Sequence, residues 1–216
     1  MRLWSFHPIK RSRPPRNLLH SEFQESGVLA IGIDNVSDGS FSLGRKHRIS
    51  IKKYRELEKY TARPLDVLVT VMATVGRCCV IPSDTEKAII TKHVYRMTVE
   101  QKLMNPYFLM FAFRGDPSVQ QQVQDQTRGQ TRPGINGQIL KSLIVPVPPI
   151  AEQREIVRRV EALLKLADAI EKRVAAAMLR TEKLTQAIPP RHSEENWCQQ
   201  KPSLRNTKGA STSQRG

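Results

Sequence analysis

Two short segments hold the residue types from which chemistry could be built. Asn105-Pro106-Tyr107-Phe108 lies close to an Asn-Pro-Pro-Tyr loop, whose polar groups can hold a target amine for methyl transfer, but the second proline is missing. No glycine-rich strand-turn-helix that could seat S-adenosylmethionine lies upstream, so the segment is read as a helix start with Asn105 as its N-cap. The other segment is Thr127-Arg128-Gly129-Gln130-Thr131-Arg132-Pro133-Gly134-Ile135-Asn136-Gly137. It offers two guanidinium forks, a carboxamide and the backbone freedom of its glycines. That inventory suits guanine and adenine edges while the chain passes close to a phosphate. A turn with merely solvated arginines is the plainer alternative. Arg128, Gln130, Thr131 and Arg132 are the leading candidates for DNA contact, with Arg77 after Gly76 and Lys92-His93 as further ones. Arg45, Lys46 and Arg48 are assigned to phosphate.

Catalytic signatures are otherwise missing. There is no HExxH, GxSxG or P-loop pattern, and the five histidines are scattered. Of the three cysteines, Cys78 and Cys79 are neighbours in an apolar run, and no CxxC pair occurs. They are read as small buried hydrophobes, not as a disulfide framework or a zinc site. No catalytic residue, metal or cofactor is expected.

Charge points to the partner. The 216 residues carry 35 Lys and Arg against 20 Asp and Glu, a net +15. By segment the net charge is +3 over residues 1–27, +7 over 28–150, +2 over 151–188 and +3 over 189–216. The largest excess sits on the stretch that reads as a folded domain, so a polyanion is expected to dock there. Aromatics make up only 6% of the chain. Duplex readout by polar side chains therefore fits better than stacking on a single strand. The first sixteen residues are basic and proline-rich without the apolar block of a secretion signal, and a cytoplasmic location is expected.

The elements that must position these residues are legible in outline. Strands are expected at Val28 to Ile33, Leu65 to Val71, Arg77 to Ile81 and His93 to Val99, with a turn at Ser37-Asp38-Gly39-Ser40. Ile51 to Tyr60 and Pro106 to Phe113 look helical. The reading is an α+β fold: a mixed-sheet domain over 28–150, preceded by a poorly defined basic segment 1–27. After Pro148-Pro149 the pattern changes. Ile156, Val160, Leu163, Ala167, Ile170, Val174, Ala177, Thr181, Leu184 and Ile188 recur at alternating spacings of four and three. This 3.5-residue repeat predicts a coiled-coil helix over 151–188, about 57 Å long at 1.5 Å per residue. Its seam needs a facing helix, and a homodimer would supply one.

A resemblance adds to this reading. Arg128 to Asn136, then Leu140-Lys141-Ser142-Leu143-Ile144-Val145-Pro146-Val147-Pro148-Pro149, then Ala151-Glu152-Gln153 and Ile156-Val157-Arg158-Arg159-Val160-Glu161, resembles a junction found in specificity subunits of type I restriction-modification enzymes. There a target recognition domain meets a spacer helix. Gly32-Ile33-Asp34-Asn35-Val36, Asp66-Val67-Leu68-Val69-Thr70 with Gly76-Arg77, and Asn105-Pro106-Tyr107 are similar to that family as well. The resemblance covers about residues 28–188. It implies a non-catalytic reader of double-stranded DNA that docks methyltransferase subunits and, through them, a restriction subunit. Family members carry two recognition domains and two spacer helices, so this chain is similar to the C-terminal half. A coiled-coil interaction protein without specific DNA readout is the alternative.

The tail departs from the family pattern. Permitted codons for His192 to Ser203, read in a shifted frame, spell Phe-Arg-Gly-Glu-Leu-Val-Pro-Thr-Glu-Ala-Glu, the segment expected after the spacer helix. A frameshift near Ile188 is therefore expected, leaving residues 189–216 as a disordered, out-of-frame tail.

Overall fold

The computed structural model describes residues 9–12, 18–44, 47–72, 75–128 and 134–187. In chain order its strands are β1 (Ile9–Ser12), β2 (Val28–Ile31), β3 (Val36–Ser37), β4 (Ser40–Phe41), β5 (Arg48–Ile49), β6 (Thr61–Ala62), β7 (Val67–Thr70), β8 (Cys78–Val80), β9 (Ala88–Ile90) and β10 (Val94–Val99). The helices are α1 (Ile51–Glu56), α2 (Pro106–Gly115), α3 (Pro117–Thr127), α4 (Gly137–Ser142) and α5 (Ile150–Ala187). The chain divides into a unit ending at Leu164 and a second beginning at Lys165.

Two four-stranded sheets build the first unit. One runs in the order β1-β10-β7-β8 and is antiparallel throughout. The other runs β5-β2-β9-β6 and is mixed, because β2 and β9 pair in parallel. Strands β2, β7 and β9 are short and almost wholly apolar, the pattern of strands covered on both faces. Side chains alternate accordingly. Leu68 and Cys79 point into a cluster shared with Leu29, Ile31 and Ile90 of the other sheet. Val67, Val69, Cys78 and Val80 point the other way, onto Leu109, Phe113, Val119, Val123, Ile139 and Leu140 of the helices. Ala30, Ile49 and Ile89 face outward under Tyr54, Leu57 and Leu18. The layers are thus α1, mixed sheet, antiparallel sheet and helices α2 to α4, an α+β arrangement.

Several departures from the expectations have local causes. The domain does not begin at Val28: β1 pairs with β10 from Ile9↔Val99 to Ser12↔Arg96, and Leu18 is buried. The strand expected to reach Ile33 stops at Ile31, because Gly32 to Asn35 turn sharply. There the Asn35 carboxamide accepts from Gly32 N at 2.9 Å and donates to Ser42 O at 2.9 Å. Asp38-Gly39 is the two-residue turn of the β3–β4 hairpin, with Gly39 at φ +85°. Asn105 caps α2 as expected, accepting from Tyr107 N at 2.9 Å and Phe108 N at 3.3 Å. Both described cysteines are buried, and burial pushes the Cys79 thiol up to about 12 and raises Cys78 as well. Neither is a reactive thiolate.

Helix α5 is rooted in the first unit through Gln153 and Val157, which are 0% and 7% exposed. Ile156 packs beside the core, and Val160 with Leu164 lines an apolar cleft of about 820 Å³ whose other walls include Phe108, Phe111, Val147 and Pro148. Ile156 and Val160, the first two residues of the repeat, are thus half-buried beside the domain. From Lys165 to Leu184 every residue is exposed. Ile170, Val174 and Leu184 are 51%, 51% and 67% accessible, and Ala167, Ala177 and Thr181 fall on the same row. Ile188 and the whole of 189–216 lie outside the described residues.

Candidate nucleic-acid interface

Strand direction gathers one end of the two sheets into a single edge. Parallel β2 and β9 both finish there, and Thr91-Lys92-His93 carries the chain straight into β10. Antiparallel pairing puts the end of β7 and the start of β8 at the same edge, along with the chain entering β5. Loops from distant sequence positions are thereby brought together. They are also bonded to one another: Val71 N donates to His93 O at 3.0 Å, and Ile135 N donates to Val71 O at 3.0 Å. The exit of the glycine loop, the β7–β8 turn and the β9–β10 turn thus form one connected rim.

Each candidate can now be placed. Arg77 is exposed at the foot of the β7–β8 turn, where its own N–H donates to Thr70 Oγ1 at 3.1 Å. Gly76, at φ +85° with open space where a Cβ would stand, allows that turn. Lys92 is exposed. His93 is half-buried, and among the described residues its Nδ1 has no hydrogen-bond partner. Burial, and next the adjacent Lys92, push its imidazole below the usual value. Arg128 ends α3, 77% accessible, with Nη2 3.8 Å from Asp125 Oδ1. Gln130, Thr131, Arg132, Arg45 and Lys46 lie outside the described residues.

Arg48 belongs elsewhere. Its guanidinium makes a two-pronged pair with Glu86, at 2.8 and 2.5 Å, and donates to Gly27 O at 2.7 Å. Glu86 and Gly27 precede β9 and β2, so this pair ties the opposite edge of the mixed sheet. Those bonds occupy three of its five N–H groups.

Two features of the rim carried no motif. Met72 stands 40% exposed in the β7–β8 turn, a long apolar side chain open to solvent. Helix α3 has no counterpart among the sequence expectations, and only Val119 and Val123 are buried along it. The signal was present at its start: Asp116-Pro117-Ser118 places a capping carboxylate before a proline at the first helical position, and Asp116 Oδ1 accepts from Ser118 N at 2.8 Å.

The architecture is an α+β domain with a loop-bearing rim at one end and a long helix leaving its junction with the last core segment. The chain belongs to the type I restriction modification DNA specificity domain family, whose model matches residues 21–178. Among curated proteins it is similar to the EcoBI specificity subunit of Escherichia coli, 34% identical over 76% of this chain and 34% of that protein. It also resembles the StySPI specificity subunit of Salmonella potsdam, 29% identical over 74% of this chain and 35% of that protein. The chain thus spans about a third of the length of these relatives. The fold is shared with the HsdS subunit from Thermoanaerobacter tengcongensis, at TM-score 0.59 and 19% identity over 83% of this chain and 41% of that one. A chain from a structure of a type I R-M system matches at TM-score 0.66 and 19% identity, over 86% of this chain and 43% of that chain.

Proposed function

We propose that this chain is a non-catalytic, sequence-specific reader of double-stranded DNA, one half of a type I restriction-modification specificity subunit. The observation that supports this reading is the bonded rim, which joins the turns carrying Arg77 and Lys92-His93 to Ile135, downstream of Arg128 in the sequence. These elements combine charge for phosphate with guanidinium forks for guanine. Gln130, Thr131 and Arg132 extend the base-reading set, and Arg45 and Lys46 add phosphate contacts. The partners are duplex DNA, methyltransferase subunits and, through them, a restriction subunit, in the cytoplasm. No described helix is long and apolar enough to cross a membrane. The exposed row from Leu163 to Leu184 is the surface for a second helix, supplied in the isolated chain by a homodimer. Residues 189–216 are assigned to an out-of-frame tail.

The full chain should bind mixed-sequence duplex DNA with log K falling against log salt at a slope of about −4 to −5, as expected for roughly four to six neutralised phosphates. Fluorescence anisotropy from 50 to 300 mM salt reads the slope. A flat response would remove the DNA-binding role and leave the coiled-coil interaction reading.

A further inference from the structure

The polar face of α3 is organised around one carboxylate. In helical projection Val119 and Val123 lie together and are buried, while Gln121, Asp125 and Arg128 fall on the opposite side at the i, i+4, i+7 positions. All three are exposed. Gln121 Nε2 donates to Asp125 Oδ1 at 2.9 Å, and the same oxygen lies 3.8 Å from Arg128 Nη2. Neighbouring polar side chains are tied down elsewhere: Gln122 bridges to Ile144 N and O at 2.8 and 3.0 Å, and Gln126 accepts from Ser142 Oγ at 2.9 Å. The helix is thus fixed on two sides while this face stays open, and it runs directly into the glycine loop.

An acidic residue on a surface that must approach DNA costs affinity by repelling phosphate. Its placement against Arg128 gives it a compensating task. A flexible arginine samples many rotamers, and only a few present the planar fork squarely to the O6 and N7 of guanine. A carboxylate 3.8 Å from one guanidinium nitrogen attracts the fork and narrows that set without forming a hydrogen bond that would occupy its donors. Gln121 restrains the carboxylate in turn. We propose that Asp125 is a positioning residue that orients Arg128 for base readout, trading nonspecific affinity for sequence discrimination. The proposal rests on the DNA-reading function above and names which part of it this helix performs.

The two consequences have opposite signs, which a merely structural residue would not produce. The full chain, Asp125→Asn, Arg128→Ala and the double variant are each incubated with a randomised duplex pool, and the bound fraction is sequenced. Asp125→Asn should bind mixed-sequence duplex about two- to fivefold more tightly at low salt, because a repulsive charge is gone. Its enrichment of preferred sequences should fall about tenfold, within the range set by one bidentate base contact. In the Arg128→Ala background the same change should still raise affinity but no longer alter discrimination. Undiminished discrimination in Asp125→Asn, or an equal loss in both backgrounds, overturns the positioning role while leaving the DNA reader intact. If the unmutated chain enriches no sequence at all, the DNA-reading function itself fails, and the proposal with it.

Discussion

Gln153→Leu should lower the unfolding free energy of the full chain by about 2–4 kcal/mol, while leaving its fold class by circular dichroism unchanged. The Gln153 side chain is fully buried and makes three hydrogen bonds to backbone. Its Oε1 accepts from Asn105 N at 2.8 Å, and its Nε2 donates to Leu103 O at 3.1 Å and to Pro148 O at 2.8 Å. One residue of the helix root thus joins the turn before α2 to the proline segment before α5. Leucine fills similar space but strands one N–H and two carbonyls, each costing about 1–3 kcal/mol when left unpaired in a buried place. These groups are only partly buried, so water recovers some of that loss.

Gln153→Glu separates this account from simple packing loss. An ionised carboxylate keeps the bond from Asn105 N but has no proton for either carbonyl, and its burial is unfavourable. The introduced carboxyl should therefore have a folded-state pKa above its unfolded one. Protonation restores one donor, so the variant should regain stability relative to the unmutated chain as pH falls into the carboxylate range. It should lose that stability again as pH rises through the raised pKa. Denaturant unfolding at several pH values checks both changes. If Gln153→Leu is as stable as the unmutated chain, the hydrogen-bonded root is not what secures the helix.

Gln153 also shows where legibility in sequence ended. The Pro148-Pro149 to Gln153 junction was visible as a motif, yet its reason lies about 50 residues away in Leu103 and Asn105. The same limit applies to Arg48, which sits beside Arg45 and Lys46 in sequence but spends its guanidinium on Glu86, 38 positions on. Local pattern was sufficient where an element is almost wholly apolar, as in β7 and β8, or strongly capped, as in α2. It was insufficient for β9, three residues next to Glu86 and Lys87, and for α3, whose five glutamines conceal two buried valines. The rim followed the same rule. Arg77 and Lys92-His93 could be named singly, but their meeting at one edge depends on the antiparallel pairing of β7 with β10, which no short window contains.

The seam of α5 is the opposite case, since its repeat was plain and its use depends on what covers it. Ile170→Asp should convert the full chain from a dimer to a monomer at tens of micromolar, a loss of at least about a hundredfold in association. From Leu163 to Leu184 the row presents Leu163, Ile170, Val174 and Leu184 at 51–67% exposure, spaced by Ala167, Ala177 and Thr181. Burying each large side chain in a facing helix contributes about 1–2 kcal/mol, so the row supplies enough to hold two copies together. Aspartate at 170 removes one such contribution and places a charge where the partner's side chains would exclude water, a cost of several kcal/mol unless the helices separate. Arg173→Ala is the control, because Arg173 lies off the row and its truncation leaves the apolar contact intact. Sedimentation velocity distinguishes the outcomes. A monomeric unmutated chain at that concentration removes the homodimer and reserves the row for a helix of another protein. A dimer that survives Ile170→Asp would place the contact elsewhere, with the apolar cleft of Phe108, Val147, Val160 and Leu164 next to be tested.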